Sequence, residues 1–153
     1  MPTNPTVSFY NKYKDAAIAA AKGSNIFADT ILAVGSLESN NGKSGLSAKH
    51  NNFFGIKPDK SWTGDVVTMK TKEQDKHGKV SVINAQFIAP KTPQECFEKF
   101  VKFVSGTRYR LAGMFTAKTP LEQFNALHKA GYATDIKYVE KLADRYDLFP
   151  NKK

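Results

Sequence analysis

Ile31-Leu32-Ala33-Val34-Gly35-Ser36-Leu37-Glu38-Ser39-Asn40-Asn41-Gly42-Lys43-Ser44 runs from an apolar helical segment into a glycine-punctuated turn and leaves one carboxylate at the join. Counting back from Glu38 in helical steps of three and four gives Val34, Ile31 and Phe27, so the acid continues the buried stripe of its helix. Partial desolvation there favours the protonated carboxyl, and the carbonyl end of the helix adds negative potential that acts in the same direction. A proton donor working near neutral pH needs that environment. The competing reading is an acid that leaves the stripe as the helix ends and is simply solvated; the spacing alone leaves both open.

Working outward, a first helix is expected over about Val7 to Lys22, with Phe9, Tyr13, Ala16, Ala17 and Ala20 on one face and Gly23 ending it. Ser24 or Asn25 can cap the second helix, which carries Ile26 to Leu37, and Gly42 lets the chain reverse after Glu38. A short helical piece near Leu46 to Lys49 follows. Thr63 to Thr71 and Lys79 to Phe87 are then rich in β-branched residues with partial alternation, which predicts a hairpin whose charged connection is Lys72 to Gly78. Helical signals return with two capping boxes, Thr92-Pro93-Gln94-Glu95 and Thr119-Pro120-Leu121-Glu122. Behind them Phe97, Phe100, Val101 and Val104, and then Leu121, Phe124 and Leu127, form core stripes. A last helix over about Asp135 to Tyr146 carries Ile136, Val139, Leu142 and Ala143. The fold class is therefore α+β and predominantly helical, with a small β-hairpin inserted between the helical halves.

The 153 residues fit one domain, 1–153, able to bury a core without disulfides. The single cysteine, Cys96, falls on the apolar side of a helix with Phe100 and Phe103 and is expected to be inert core. His50, His77 and His128 are too scattered for a ligand cluster, so no metal and no cofactor are expected. A net charge of +9, spread along the chain, suits a polyanionic partner such as nucleic acid, an anionic membrane or a bacterial cell wall. With no clustered basic helix and no RNA-binding aromatic motif, nucleic acid is not expected. No segment is apolar for long enough to span a bilayer, since the run Ala16 to Ala21 is short and follows Lys14-Asp15. Neither membrane insertion nor a signal peptide is expected.

Several motifs together resemble the glucosaminidase family of peptidoglycan hydrolases, glycoside hydrolase family 73, over about Ile26 to Leu148. They are Ile31-Leu32-Ala33 leading to Leu37-Glu38-Ser39, Gly42-Lys43-Ser44, Asn51-Asn52-Phe53-Phe54-Gly55-Ile56-Lys57, Trp62-Thr63-Gly64, and Gly131-Tyr132-Ala133-Thr134-Asp135 with Tyr138. The resemblance implies a lysozyme-like helical core with a small β-lobe walling a sugar-binding groove. It also implies an endo-acting enzyme that hydrolyses the β-1,4 bond between N-acetylglucosamine and N-acetylmuramic acid in bacterial peptidoglycan. Glu38 matches the family's general acid, Glu73 the second carboxylate on the β-lobe, and Tyr132 a tyrosine facing the cleavage subsite.

Read as residues, Glu73 sits in a mixed-charge run of the kind that caps a solvated hairpin, with Asp75 the nearest substitute and Asp65 a more distant one. Tyr132 can equally be a tyrosine buried at a helix cap. Asn51, Asn52, Phe53 and Gly55 are expected to line or support the groove floor, with Phe54 more core than ligand. Trp62 is either a sugar platform or packing, and Thr134 and Asp135 join the substrate-binding set through their motif. One departure stands out: where family members tend to carry an arginine and a tyrosine after the second strand, this chain has Phe87-Ile88-Ala89-Pro90.

Two other classes share these features. A muramidase or lytic transglycosylase uses the same scaffold and a single glutamate to cut the alternate bond, and a wall-binding module would keep the groove without the chemistry. The expected partner is peptidoglycan, met by a monomer made in the cytoplasm and acting on the wall as a phage lysin, a virion part or an injected effector. An injected effector would also have a cognate immunity protein.

Overall fold

A computed structural model describes residues 4–150. Its elements run α1 (Pro5–Ala21), α2 (Ala28–Glu38), α3 (Gly45–His50), β1 (Val66–Gln74), β2 (Val80–Ile88), α4 (Pro93–Phe103), α5 (Thr107–Leu111), α6 (Pro120–Lys129) and α7 (Tyr138–Asp147). This is the expected helical architecture with one inserted antiparallel hairpin.

The helix ends follow from local chemistry. Asn4 caps α1 by accepting from Thr6 N at 2.8 Å, with Pro5 at the first helical position, so the helix starts two residues before the expected Val7. Thr92 and Thr119 accept from Glu95 N and Glu122 N, as the two capping boxes predict. The returning carboxylates reach one residue further back, Glu95 to Lys91 N at 3.0 Å and Glu122 to Lys118 N.

Among the other boundaries that differ from expectation, those of α2, β1 and α7 have a tertiary or turn reason. Helix α2 starts at Ala28, not Ile26, and neither Ser24 nor Asn25 caps it. Its Phe27 N–H is instead taken by the buried Gln123, whose Oε1 accepts at 3.1 Å while Nε2 donates to Asn25 O and Met114 O. Strand β1 runs from Val66 to Gln74, so Lys72, Glu73 and Gln74 are ladder residues and the turn shrinks to Asp75–Lys79. Asp75 closes that turn, its Oδ1 accepting from His77 N and Lys79 N, and Gly78 supplies φ +81°. Helix α7 starts at Tyr138 because Asp135 caps a preceding turn through Lys137 N. The short helix α5 had no counterpart in the sequence reading.

The core lies among α1, α2, α4, α6 and α7, and it is aromatic. Phe53 meets Phe97 edge-on at 5.4 Å, and Phe54 stacks on Phe100 at 4.3 Å. Cys96 is fully buried, accepts from Phe53 N and has its thiol pKa pushed up to about 12 by burial, consistent with inert core. Phe103, Leu121 and Ile136, expected in the core, are exposed instead. Phe103 ends α4 at the rim of a cavity, Leu121 is at the second position of α6 after its cap, and Ile136 precedes α7.

The hairpin pairs Val66 with Ile88 through to Gln74 with Val80, and only Ile88 of its residues is buried. Its base is tied down by Ile88 N to Ile56 O (3.0 Å) and Ala89 N to Asp65 O (2.9 Å). The inward-leaning face carries Val67, Met69, Thr71 and Glu73 on β1 with Ile83, Ala85 and Phe87 opposite. Among the described residues no helix is long and apolar enough to cross a membrane.

Candidate active site

Glu38 is the last residue of α2, and the chain behind it is held in an unusual turn. Asn40, Asn41 and Gly42 all take the left-handed conformation, with φ of +50°, +57° and +80°. Asparagine and glycine are the residues that bear this cheaply. The turn returns its N–H groups to the open carbonyls of the helix: Asn41 N donates to Ser36 O at 2.8 Å, and the buried Ser39 donates its hydroxyl to Gly35 O at 2.6 Å while accepting from Gly42 N. Arg145 and Thr6 donate to Asn41 Oδ1 and fasten the turn to α7 and α1. The turn behind Glu38 is thus fastened to three helices, α2 itself, α7 and α1.

Glu38 is an exposed residue at the mouth of the groove, and the protein around it desolvates its carboxyl only in part. Desolvation raises its pKa above the ordinary glutamate value, and a hydrogen bond from Tyr138 Oη to Oε1 at 3.2 Å partly offsets this by favouring the carboxylate. The direction is the one read from the helical stripe. Tyr138 is buried, and Tyr132 packs tilted against it at 6.1 Å between ring centres. Burial, with the Glu38 charge as a lesser cause for each, raises both phenols above their ordinary value, so both stay protonated as hydrogen-bond donors.

Two concavities meet at this acid. One, of about 370 Å³, is walled by Phe54, Gly55, Ile56 and Lys57 on one side and by Phe100, Phe103 and Arg108 on the other. The second, of about 540 Å³, extends toward Thr134, Asp135, Tyr138 and Lys141. Glu38, Tyr132 and Ala133 line both. A chain of linked rings lying along the pair would therefore pass the carboxyl near its middle.

Of the residues singled out in the sequence, the fold gathers Glu38, Tyr132, Gly55, Thr134 and Asp135 around this groove. Gly55 has φ +67° and forms bare backbone wall. Asp135 is held by Lys141 and Lys137 N, which lower its pKa, so it stays a carboxylate. Of the two roles expected for Asn51, Asn52 and Phe53, lining or supporting the groove floor, the structure gives the supporting one: none of them lines either concavity, so they are not placed to touch a sugar. Phe53 is buried, and Asn52 spends its whole amide on backbone: Nδ2 donates to Ile56 O and Ile88 O, and Oδ1 accepts from Phe54 N and Ile56 N. Asn51 donates to Pro90 O.

Trp62 lies outside both concavities, its indole N–H donating to Asp65 O and Lys99 poised 5.5 Å above its ring. Glu73 lines neither. It lies on the inward-leaning hairpin face, 3.9 Å from Nζ of Lys57, which does line the first cavity. Asp75, weighed as its substitute, is a turn-capping residue. Sequence reasoning did not assign roles to Tyr138, Lys57, Phe103 or Arg108. Tyr138 and Lys57 stood in the family motifs and Phe103 was expected in the core, whereas Arg108 carried no local signal. Among the described residues, no group of three or more His, Cys, Asp or Glu side chains is placed to hold a metal ion.

With this geometry in hand, comparison with known proteins identifies the class. Residues 14–149 match the glucosaminidase family model, described as mannosyl-glycoprotein endo-beta-N-acetylglucosaminidase. The peptidoglycan hydrolase FlgJ of Vibrio parahaemolyticus is 34% identical over 140 residues, covering 88% of this chain and 44% of FlgJ. The exo-glucosaminidase LytG of Bacillus subtilis is 34% identical over 131 residues, covering 81% of this chain and 45% of LytG. The catalytic domain of the autolysin Auto from Listeria monocytogenes superposes with a TM-score of 0.83 at 30% identity, covering 96% of this chain and 85% of that one. The chain spans less than half the length of the curated relatives it matches. It belongs to the glucosaminidase family of glycoside hydrolases, the family its motif order resembles, and has that family's lysozyme-like fold.

Proposed function

We propose that this glucosaminidase-family chain hydrolyses the glycan strands of bacterial peptidoglycan, cutting within the strand at the β-1,4 bond between N-acetylglucosamine and N-acetylmuramic acid. The observation that carries the reading is the position of Glu38, an acid with a raised pKa at the junction of two concavities. The continuation of the groove on both sides of Glu38 supports internal cutting.

In this reading the protonated Glu38 gives its proton to the glycosidic oxygen. The C1–O bond breaks with its electron pair left on the departing sugar, and an oxocarbenium-like centre forms at C1. Tyr138 holds Oε1 as an acceptor, which leaves the other oxygen to carry the proton. Tyr132, a protonated donor beside Glu38, faces the ring being cleaved. Water then adds to C1 and loses a proton to the second carboxylate, which we assign to Glu73. Inverting enzymes hold the two carboxyls about 6.5–9.5 Å apart. Glu73 reaches such a position by an inward swing of the hairpin that parts its long contact with Lys57. Glu38 is reprotonated from solvent.

The substrate lies outside the membrane of the attacked cell, a setting that fits a phage lysin, a virion part or an injected effector. For an effector, an immunity protein that fills the groove over Glu38 is the partner this reading predicts.

The test is mass spectrometry of borohydride-reduced fragments from purified peptidoglycan treated with wild type and Glu38→Gln. Reduced N-acetylglucosamine ends on internal fragments, from wild type alone, are expected. Release of single sugars from strand ends would make the enzyme exo-acting, reduced muramic ends a muramidase, and anhydromuramic ends a lytic transglycosylase. No new ends would leave a binding module.

A further inference from the structure

Among the described residues, Arg108 is a cation of the groove with no carboxylate in ion-pair reach. It reaches the first cavity from α5, across from Lys57 and together with Phe103 and Glu38. The two ion pairs among the described residues are Lys57 with Glu73 and Lys141 with Asp135, so no carboxylate stands within 4.0 Å of Arg108. Arg108 is an exposed residue, but its guanidinium is anchored. Its Nη2 donates to Tyr109 Oη at 2.8 Å, its carbon lies 4.8 Å from the centre of the Tyr109 ring, and Tyr109 is 1% exposed. A side chain held this way has already lost much of its rotamer freedom, and its unused N–H groups keep a geometry suited to a carboxylate. Beside it the half-exposed ring of Phe103 offers an apolar face, and Glu38, the one acid among the residues lining the cavity, is uncharged when poised to act.

The geometry points to Arg108 as the reader of a substrate carboxylate, so that the groove prefers carboxylate-bearing muramic strands over neutral N-acetylglucosamine polymers. This rests on the proposed function and adds a specificity residue to it. In an alternating strand each bond of the cleaved type has a muramic unit on its reducing side and another one sugar away on the other. A carboxylate of the lactyl ether or stem peptide is therefore within a sugar or two of Glu38 whichever way the strand lies. Lys57 has Glu73 3.9 Å from its ammonium in the structure, which leaves Arg108 as the cavity cation with no carboxylate in ion-pair reach before the hairpin moves.

The experiment compares kcat/KM on peptidoglycan glycan strands with free carboxylates and on the same strands after conversion of the carboxylates to methylamides, for wild type, Arg108→Gln and Arg108→Lys. Because the readout is the ratio between two substrates, any loss of folded enzyme cancels. Wild type should prefer the carboxylated strands by about tenfold or more, the ordinary size of a charge-assisted hydrogen bond. Arg108→Gln should bring the ratio to within about twofold of one, and Arg108→Lys should keep part of it because the charge remains without the fork. A wild-type ratio near one, or an Arg108→Gln enzyme that is slower on both strands with the ratio unchanged, would overturn the assignment. Failure of wild type to cut either strand would instead remove the proposed function.

Discussion

Phe53, Phe97 and Phe100 in the helical body are buried to 1% exposure or less, whereas Val80, Val82 and Ile83 in the hairpin are 43–61% exposed. Both sets are large and apolar. The difference lies in what each element has to pack against. Five helices close on one another around a shared aromatic core, where each fully buried phenylalanine contributes roughly 1.5–3 kcal/mol. The hairpin has one strand partner and leans on the body only near its base, and two strands alone are marginally stable in water. The proposed acid stands on the first kind of element and the proposed base on the second. A rigid acid and a hinged base suit a groove that must admit a long polymer and then assemble its chemistry around it.

The strongest way to break this picture is at the rigid end. Glu38→Gln should lower kcat by about 10²–10⁴-fold, the usual worth of a general acid, and this is read by release of reducing ends. The same variant should be more stable than wild type at neutral pH. Folding raises the Glu38 pKa, so the folded state holds that proton more tightly than the unfolded chain does. The resulting stability is fully present below the unfolded pKa and is lost as pH rises through the raised folded value. Removing the ionisable group removes that loss, so the difference in Tm should close on going to acid. A Glu38→Gln protein no more stable than wild type at pH 7 would contradict the desolvated acid.

The next largest effect is expected at the seam between the two regions. Asn52→Ala removes four hydrogen bonds that fasten Ile56 and Ile88 together where the hairpin leaves the body, and it strands buried backbone groups. A loss of about 2–4 kcal/mol follows. At roughly 2–4 °C per kcal/mol, it should be plain in a thermal melt. In the hinged region, Glu73→Gln should lower kcat by about 10–100-fold with little change in KM or Tm. NMR of the first-formed anomer should show inversion for wild type. Unchanged kcat would move the second role to the substrate's own acetamido oxygen. Smallest of all, Val82→Thr, on a fully solvated stretch of β2, should shift stability by no more than about 0.5 kcal/mol.

How much could be read in advance divides along the same lines. Thr92-Pro93-Gln94-Glu95 and Thr119-Pro120-Leu121-Glu122 carry helix starts in four residues, and the structure places the caps there. The rise of the Glu38 pKa was one of two readings open to the 27-31-34-38 spacing, the other being a solvated acid, because a helix converts spacing into a face but does not say how far the last residue is covered. The start of α2 was not legible, since its cap comes from Gln123, ninety-six residues away. For Asn52 and Phe53 the motif left lining and supporting the groove floor both open, because a sequence does not say whether an amide meets sugar or backbone, and the structure gives them the supporting role. Glu73 was placed in a connection because Lys72 to Gly78 has loop-like charge, whereas on an exposed hairpin nothing apolar is needed to extend the ladder.

The sequence by itself determined the helical class, the inserted hairpin and the family, and it singled out Glu38 as the candidate acid, because capping, periodicity and motif order are written in neighbouring residues. Only the tertiary structure decided that Tyr138 holds that acid, that Arg108 stands unpaired in the groove on a buried tyrosine, and that Glu73 waits on a projecting strand beside Lys57. Each of these is a meeting of separate segments or a matter of which way a side chain faces once packed, and pairings of that kind leave no periodic mark in the chain.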